Sequence, residues 1–141
     1  MFSWIAGKLI ARTMADAREG NRKSTLRLYA KDIRFRFPGN NAWSIEVDGK
    51  DGVARWLDRV DATGVKLHPD EVILKGFPWR QTVCIRGHDV LDSPDGERIY
   101  ENRFVIWGRI SWGLLRDYEV YEDTERVAVL EEHLAKRALD D

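Results

Sequence analysis

The sequence has only one cysteine and three histidines in 141 residues, and these scarcities exclude several kinds of site. Cys84 has no second cysteine with which to form an internal disulfide, which favours a reducing compartment. It lies amid strand-forming residues, so we expect it to be buried. His68, His88 and His133 lack the spacing of metal ligands, and we predict no metal site. The sequence also lacks a glycine-rich phosphate loop, and we expect no cofactor.

No apolar run reaches the roughly 18 residues of a membrane span. Lys8 and Arg12 interrupt the apolar start of the chain, and Asp16 and Glu19 follow, a pattern unlike that of a secretory signal. The formal net charge is −1, which provides no general attraction for nucleic acid or for an anionic membrane. We therefore expect a cytoplasmic protein that binds neither nucleic acid nor a membrane.

The chain does contain a clear change of hydrophobic period along its length. Segments with helical spacing are separated from segments that alternate apolar and polar residues. In order, the pattern predicts a helix ending at Gly20-Asn21, a short helix from Ser24, a strand at 32–37, a polar loop, a helix at 53–60, four strands within 65–121, and a helix capped by Asp123 or Thr124. Strands grouped apart from helices predict an α+β fold, with an antiparallel sheet covered by helices on one face. We expect one domain spanning residues 1–141.

One predicted strand carries an unexpected amide. In "YENRFVIW" the side chains of Tyr100, Asn102, Phe104 and Ile106 share one face, because strand side chains alternate. The other three are large and at least partly apolar, so we expect this face to point toward an interior. A buried amide needs hydrogen-bond partners from the protein, from water or from a ligand. The sequence leaves open whether Asn102 is structural or contacts a ligand, and it predicts a turn at Trp107-Gly108-Arg109.

Several segments carry a resemblance over nearly the whole chain: the strand end "RFRFPG", the helix with Trp56, "YENRF" followed by "GRI", and "EVYEDT" before the last helix. In this order they resemble the nuclear transport factor 2 superfamily, and within it the SnoaL-like bacterial proteins. The resemblance implies a curved sheet wrapped around helices into a cone, with a small, mostly apolar ligand at its mouth. We expect a symmetric homodimer packed through the outer sheet face, where Val105, Trp107 and Leu115 would be covered.

The resemblance also allows the catalytic positions of known enzymes to be compared with this chain. Ketosteroid isomerases imply a carboxylate base at Phe37 and a tyrosine near Thr13, and this chain carries neither group. Limonene epoxide hydrolases imply an Asp-Arg-Asp relay at the positions of Tyr100, Asn102 and Val120, and that relay is absent too. The catalytic sets of both enzyme classes are therefore missing from the sequence.

Related dehydratases imply a different arrangement, with a general base at His68 oriented by a carboxylate at Asp16 or Glu19. Asn102 takes the place of an oxyanion donor in the isomerases, and its amide can still donate a hydrogen bond to a carbonyl. By this resemblance, His68 and Asn102 are the candidate catalytic residues of a lyase or isomerase.

The predicted site is a pocket for a small lipophilic molecule with a carbonyl or hydroxyl group. Its expected lining comprises Phe37, Trp43, Trp56, Tyr100, Phe104 and Tyr118. Arg86 and His88 share a strand face with Cys84, and the sequence does not decide whether this face lines the pocket or lies at an interface or in solvent. Nor does it decide between an enzyme and a non-catalytic ligand-sensing or protein-interaction module.

Overall fold

The computed structural model describes residues 2–19 and 22–140. The elements along these residues are α1 (Phe2–Arg18), α2 (Lys23–Arg27), β1 (Tyr29–Phe37), β2 (Ile45–Asp48), α3 (Lys50–Thr63), β3 (Lys66–Phe77), β4 (Arg80–Asp92), β5 (Arg98–Ser111), β6 (Leu114–Glu122) and α4 (Thr124–Asp140). Their order agrees with the predicted α+β pattern, with one addition. The short strand β2 forms within the predicted polar loop. The predicted helix end at Gly20-Asn21 lies outside the described residues.

The strands form one sheet in the order β2-β1-β6-β5-β4-β3. From β3 to β6 each strand pairs antiparallel with the next, as in a meander. β1 pairs parallel with β6, with Phe35 opposite Tyr118, so the expectation of a wholly antiparallel sheet is wrong at this position. The reason lies in the connection, because α3 carries the chain to the far edge at β3. The meander from β3 to β6 then brings the chain back, so that β6 lies beside β1 and runs in the same direction as β1.

The hairpin between β5 and β6 turns at Trp112-Gly113, and the predicted turn at Trp107-Gly108-Arg109 is wrong. Both turn residues have positive φ, 51° and 80°, as a two-residue type I′ turn requires. Gly108 instead lies within β5, where its neighbours approach closely. A Cβ atom added there would lie 2.9 Å from Val83 Cγ1 and 3.0 Å from the Asp117 carbonyl oxygen. This glycine therefore permits packing within the sheet, although in the sequence it looks like a turn signal.

The two faces of the sheet differ in what they contact. On the inner face the helices cover a core that includes Ile33, Phe35, Val53, Leu57, Phe104 and Ile106. The outer face carries the alternate residues, among which Val105 and Trp107 are exposed. Cys84 is on this face and is half-buried, where we expected burial. Leu115, expected on the outer face, packs against the core instead.

Candidate ligand-binding site

A cavity of about 250 Å³ lies between the inner face of the sheet and helices α1, α3 and α4. Its lining is mostly aliphatic and aromatic, and includes Ile10, Met14, Leu57, Val60, Val83 and Ile106. The sheet supplies these side chains from alternate strand positions, and the helices supply them from their apolar stripes. A concave apolar space beside the core is typical of a site for a small molecule.

Five of the six predicted lining residues do line this cavity, namely Phe37, Trp43, Trp56, Tyr100 and Tyr118. The indole of Trp56 is fixed in place, because its N–H donates to the Trp43 carbonyl oxygen at 3.0 Å. Phe104 lies in the core and is not among the described residues that line the cavity. Its ring occupies the space over Gly87, its partner on β4. That these residues contact a ligand stays a prediction.

The predicted base, His68, lies on the outer face of the sheet. It pairs in register with His88, and the two imidazole rings stack with their centroids 5.1 Å apart. Asp16 and Glu19, its predicted carboxylate partners, are not among the described residues that line the cavity. A base at His68 would therefore act away from the cavity, and its catalytic role stays a prediction.

Arg86 and His88 also lie on the outer face, because Ile85 and Asp89, their neighbours on β4, line the cavity. Arg86 donates to Glu71 at 3.1 Å, and His88 Nδ1 lies 2.9 Å from Asp70 Oδ2. We call Asp70, Glu71, Arg86 and His88 the outer charged cluster. Both of these side-chain contacts are exposed to solvent.

Asn102 is 2% exposed, and its amide is occupied by other protein groups. Its Nδ2 lies 2.9 Å from Tyr100 Oη, 3.0 Å from the Asp123 carbonyl oxygen and 3.2 Å from Glu122 Oε2. Its Oδ1 accepts a hydrogen bond from the Arg103 backbone N–H at 2.8 Å. An amide nitrogen has two hydrogens, and here three acceptors share them. These contacts favour a structural role for Asn102, in which its amide positions Tyr100 and Glu122.

Two carboxyl groups that the sequence reasoning missed lie at the same end of the cavity. Asp89 on β4 is 4% exposed and pairs in register with Asn102, and Glu122 is the last residue of β6. Both line the cavity beside Tyr100, and we call these three residues the acidic end. Asp89 Oδ1 is buried, and no donor among the described residues reaches it. A signal did exist, since Asp89 shares strand parity with Val83 and Ile85.

Solved structures identify this architecture. An NTF2-like protein of unknown function from Burkholderia pseudomallei matches with a TM-score of 0.71 at 20% identity, covering 87% of this chain and 94% of the other. TerC, co-crystallised with polyporic acid, matches with a TM-score of 0.70 at 22% identity, covering 88% and 96%. A Xanthomonas campestris protein with a cystatin-like fold matches with a TM-score of 0.70 at 16% identity, covering 87% and 95%.

This chain has the NTF2-like fold. No family model matches the sequence, and no curated protein matches it significantly. Assignment to the SnoaL-like group within the superfamily stays a prediction. None of the helices in the described part of the chain is both long and apolar enough to cross a membrane.

Within this NTF2-like fold, burial sets the protonation of the acidic end. Burial raises the pKa of Asp89 to about 6, against a smaller opposing effect of its own backbone N–H and of His88. Burial and the charge of Asp89 raise the pKa of Glu122 to about 8, although the Asn102 hydrogen bond acts in the opposite direction. Near neutral pH the two carboxyls therefore hold about one proton between them. Burial, followed by the two acidic charges, also raises the pKa of Tyr100 above its ordinary value.

The remaining charged groups of the cavity are Arg22, Asp61 and Lys66. Arg22 donates two hydrogen bonds to the Asp61 carboxylate. Lys66 is exposed at the start of β3. In residues 2–19 and 22–140 no three His, Cys, Asp or Glu side chains are grouped as metal ligands would be. The acidic end can thus accept hydrogen bonds, exchange protons or hold a positive charge.

Proposed function

We propose that this protein binds a small lipophilic molecule in the cavity of its NTF2-like fold. The observation that carries this proposal is the cavity itself, with a mostly apolar lining and the acidic end at one side. TerC, which has the same fold, was co-crystallised with polyporic acid. That likeness supports a ligand-binding use of the fold and does not identify the ligand of this chain.

Native mass spectrometry of freshly purified protein tests this function. We expect an additional small mass on the wild-type protein, or a mass gained on incubation with small aromatic compounds. Val60→Phe extends a side chain into the cavity and should abolish the gain. Ala62→Phe, on the exposed side of the same helix, is the matched control and should retain it. A protein that gains no mass and no thermal stability from any such compound would favour the alternative of a protein-interaction module.

Proton transfer at the acidic end is a second candidate function. Its support is the proximity of two carboxyls that together hold about one proton near neutral pH, which supplies a base and an acid side by side. Such a pair suits an isomerase, cyclase or dehydratase. Incubating the retained ligand with the wild type and with Asp89→Asn tests it, since conversion that persists in the variant would exclude Asp89 as the base.

We further propose a homodimer packed through the outer sheet face. Ile73, Val105, Trp107 and Tyr121 are all exposed there, and burying them would remove apolar surface from water. Trp107→Glu should then yield a monomer in sedimentation velocity. Trp112→Glu, at the hairpin turn, should leave the dimer intact. A monomeric wild-type protein would contradict this proposal.

A further inference from the structure

The acidic end lacks a partner that its chemistry requires. Asp89 is 4% exposed and lines the cavity, and its Oδ1 receives no hydrogen bond from any described residue. A buried ionised oxygen of this kind costs free energy unless a donor reaches it. Asn102, which pairs in register with Asp89, already shares its two amide hydrogens among three other acceptors. The missing donor must therefore come from outside these groups.

The cations of the cavity do not supply that donor. Arg22 is engaged by Asp61 through two hydrogen bonds. Lys66 is exposed at the start of β3, and it does not donate to Asp89 Oδ1. Neither cation therefore donates to Asp89 Oδ1, the unoccupied acceptor of the acidic end.

A ligand bound in the cavity has to compensate the negative charge of the acidic end, because it displaces solvent from the cavity. A wholly apolar ligand would leave Asp89 Oδ1 without any donor, and a carboxylate ligand would place a like charge beside it. A protonated amine offers both a positive charge and N–H donors, and such charge-assisted hydrogen bonds are the stronger kind. Its hydrocarbon part would contact the apolar lining.

We propose that the ligand is a lipophilic amine whose protonated nitrogen donates to the Asp89 carboxylate, with its hydrocarbon part against the apolar lining. This inference rests on the proposed ligand-binding function and adds the chemical class of the ligand. It differs from the sequence expectation of a ligand carbonyl contacted by Asn102. The structure supports the change, because the Asn102 donors are occupied and the Asp89 acceptor is not.

The titratable groups around Asp89 set the pH dependence of this contact. They are Lys66 on β3, His88 on the opposite side of β4, Tyr100 on β5, Glu122 at the end of β6, and Asp123 directly after it. Of the α4 residues in the lining, Val127 and Leu130 are apolar. The amine stays protonated between pH 5 and 7, since alkylammonium groups have a pKa of about 10. The titration that matters in this range is therefore that of Asp89, whose pKa is about 6.

Isothermal titration calorimetry with three matched probes tests the proposal: phenylbutylamine, phenylbutanol and phenylbutanoate. We expect the amine to bind about tenfold to a hundredfold more tightly than the alcohol, and the carboxylate to bind most weakly. The amine affinity should rise about tenfold from pH 5 to pH 7 as Asp89 ionises, while that of the alcohol stays nearly constant.

Asp89→Asn should reduce the amine affinity to that of the alcohol. Asp70→Asn, in the outer charged cluster, is the matched control and should leave it unchanged. Thermal unfolding of each variant verifies that it folds, and Glu122→Gln provides a second variant at the acidic end. Equal affinities for amine and alcohol would overturn the amine assignment while leaving the proposed ligand-binding function in place. Binding of none of the probes, by the wild type or the control, would overturn both.

Discussion

The acidic end and the outer charged cluster lie on the same sheet, and they differ in how their charges are compensated. In the outer cluster each carboxylate has a basic partner, and all four side chains contact solvent. At the acidic end Asp89 is buried and Glu122 is half-buried, and Asp89 Oδ1 accepts no hydrogen bond from any described residue. His88 and Asp89 are consecutive residues of β4, and one belongs to each group. One step along a strand therefore separates a solvent-exposed polar contact from a buried acid whose pKa is raised.

The difference shows which charged residues can be informative about function. Exposed ion pairs contribute about 0–1 kcal/mol and are common on any surface. A buried acid with an unoccupied oxygen is costly, and such groups occur mainly where a ligand or a reaction uses them. The same difference between an inward, buried residue and its outward, exposed neighbour recurs in two adjacent pairs on β5. These pairs are Asn102 with Arg103 and Phe104 with Val105. Substitutions within these pairs test the comparison.

The largest expected effect concerns Phe104 and Val105. Phe104 is 1% exposed and fills the space over Gly87, whereas Val105 is 37% exposed on the outer face. Phe104→Ala should lower the free energy of unfolding by about 3–5 kcal/mol, because it removes a buried ring and leaves a cavity. Val105→Ala should lower it by about 1 kcal/mol or less, because this side chain is partly exposed within the subunit and is covered only in the proposed dimer. Urea denaturation of both variants measures this, and similar losses would show that the two faces are equally buried.

The next effect is on the pH dependence of stability. The folded state holds protons on Asp89 and Glu122 that the unfolded chain releases near pH 4, because their folded pKa values are raised to about 6 and about 8. Their contribution is thus favourable below pH 4 and is lost as the pH rises through these values. For Asp89 alone the loss amounts to about 3 kcal/mol, since one pKa unit corresponds to about 1.4 kcal/mol.

Asp89→Asn should flatten this decline, and Asp70→Asn in the outer charged cluster should not. Urea unfolding at pH 4, 6 and 8 gives the slope for each variant. If the slope of Asp89→Asn equals that of the wild type, Asp89 ionises in the folded protein as it does in water. The acidic end would then not raise the pKa of Asp89.

The sequence predicted most of the fold because its elements have local signals. The alternation at Phe35 and Phe37 marks a strand, and Asp123 does cap α4, since its Oδ1 accepts from the Glu125 N–H. The parallel pairing of β1 with β6 had no local signal, because it depends on where α3 delivers the chain. The turn was misplaced because Gly108 and Gly113 look alike in sequence, and only the neighbouring strands tell them apart.

Five of the aromatic residues named from the sequence line the cavity, their contact with a ligand stays a prediction, and the acidic end was missed. Large apolar side chains such as Trp56 and Tyr118 at inward positions need no further information to be placed in an interior. Asp89 was missed because a charged residue is ordinarily taken to be exposed. His68 was chosen by resemblance of position, yet its imidazole stacks on that of His88 on the outer face of the sheet.

The smallest expected effect concerns Asn102 and Arg103. Asn102→Ala removes the amide that Tyr100 Oη, Glu122 Oε2 and the Asp123 carbonyl oxygen share, and should lower the free energy of unfolding by about 1–3 kcal/mol. Arg103→Ala removes only an exposed side chain and should have little effect. Loss of the amide should also raise the pKa of Glu122 further, because its hydrogen bond favours the ionised form.

Carbon-13 NMR of the Glu122 carboxyl detects that change directly. If Asn102 only fills space, Asn102→Leu should preserve both stability and the pKa of Glu122. If it positions the acidic end, Asn102→Leu should raise this pKa as Asn102→Ala does, even where the bulk of the leucine restores part of the packing. A pKa that stays at the wild-type value in both variants would leave the amide with no influence on the carboxyls. The contrast between the two faces would then rest on burial alone.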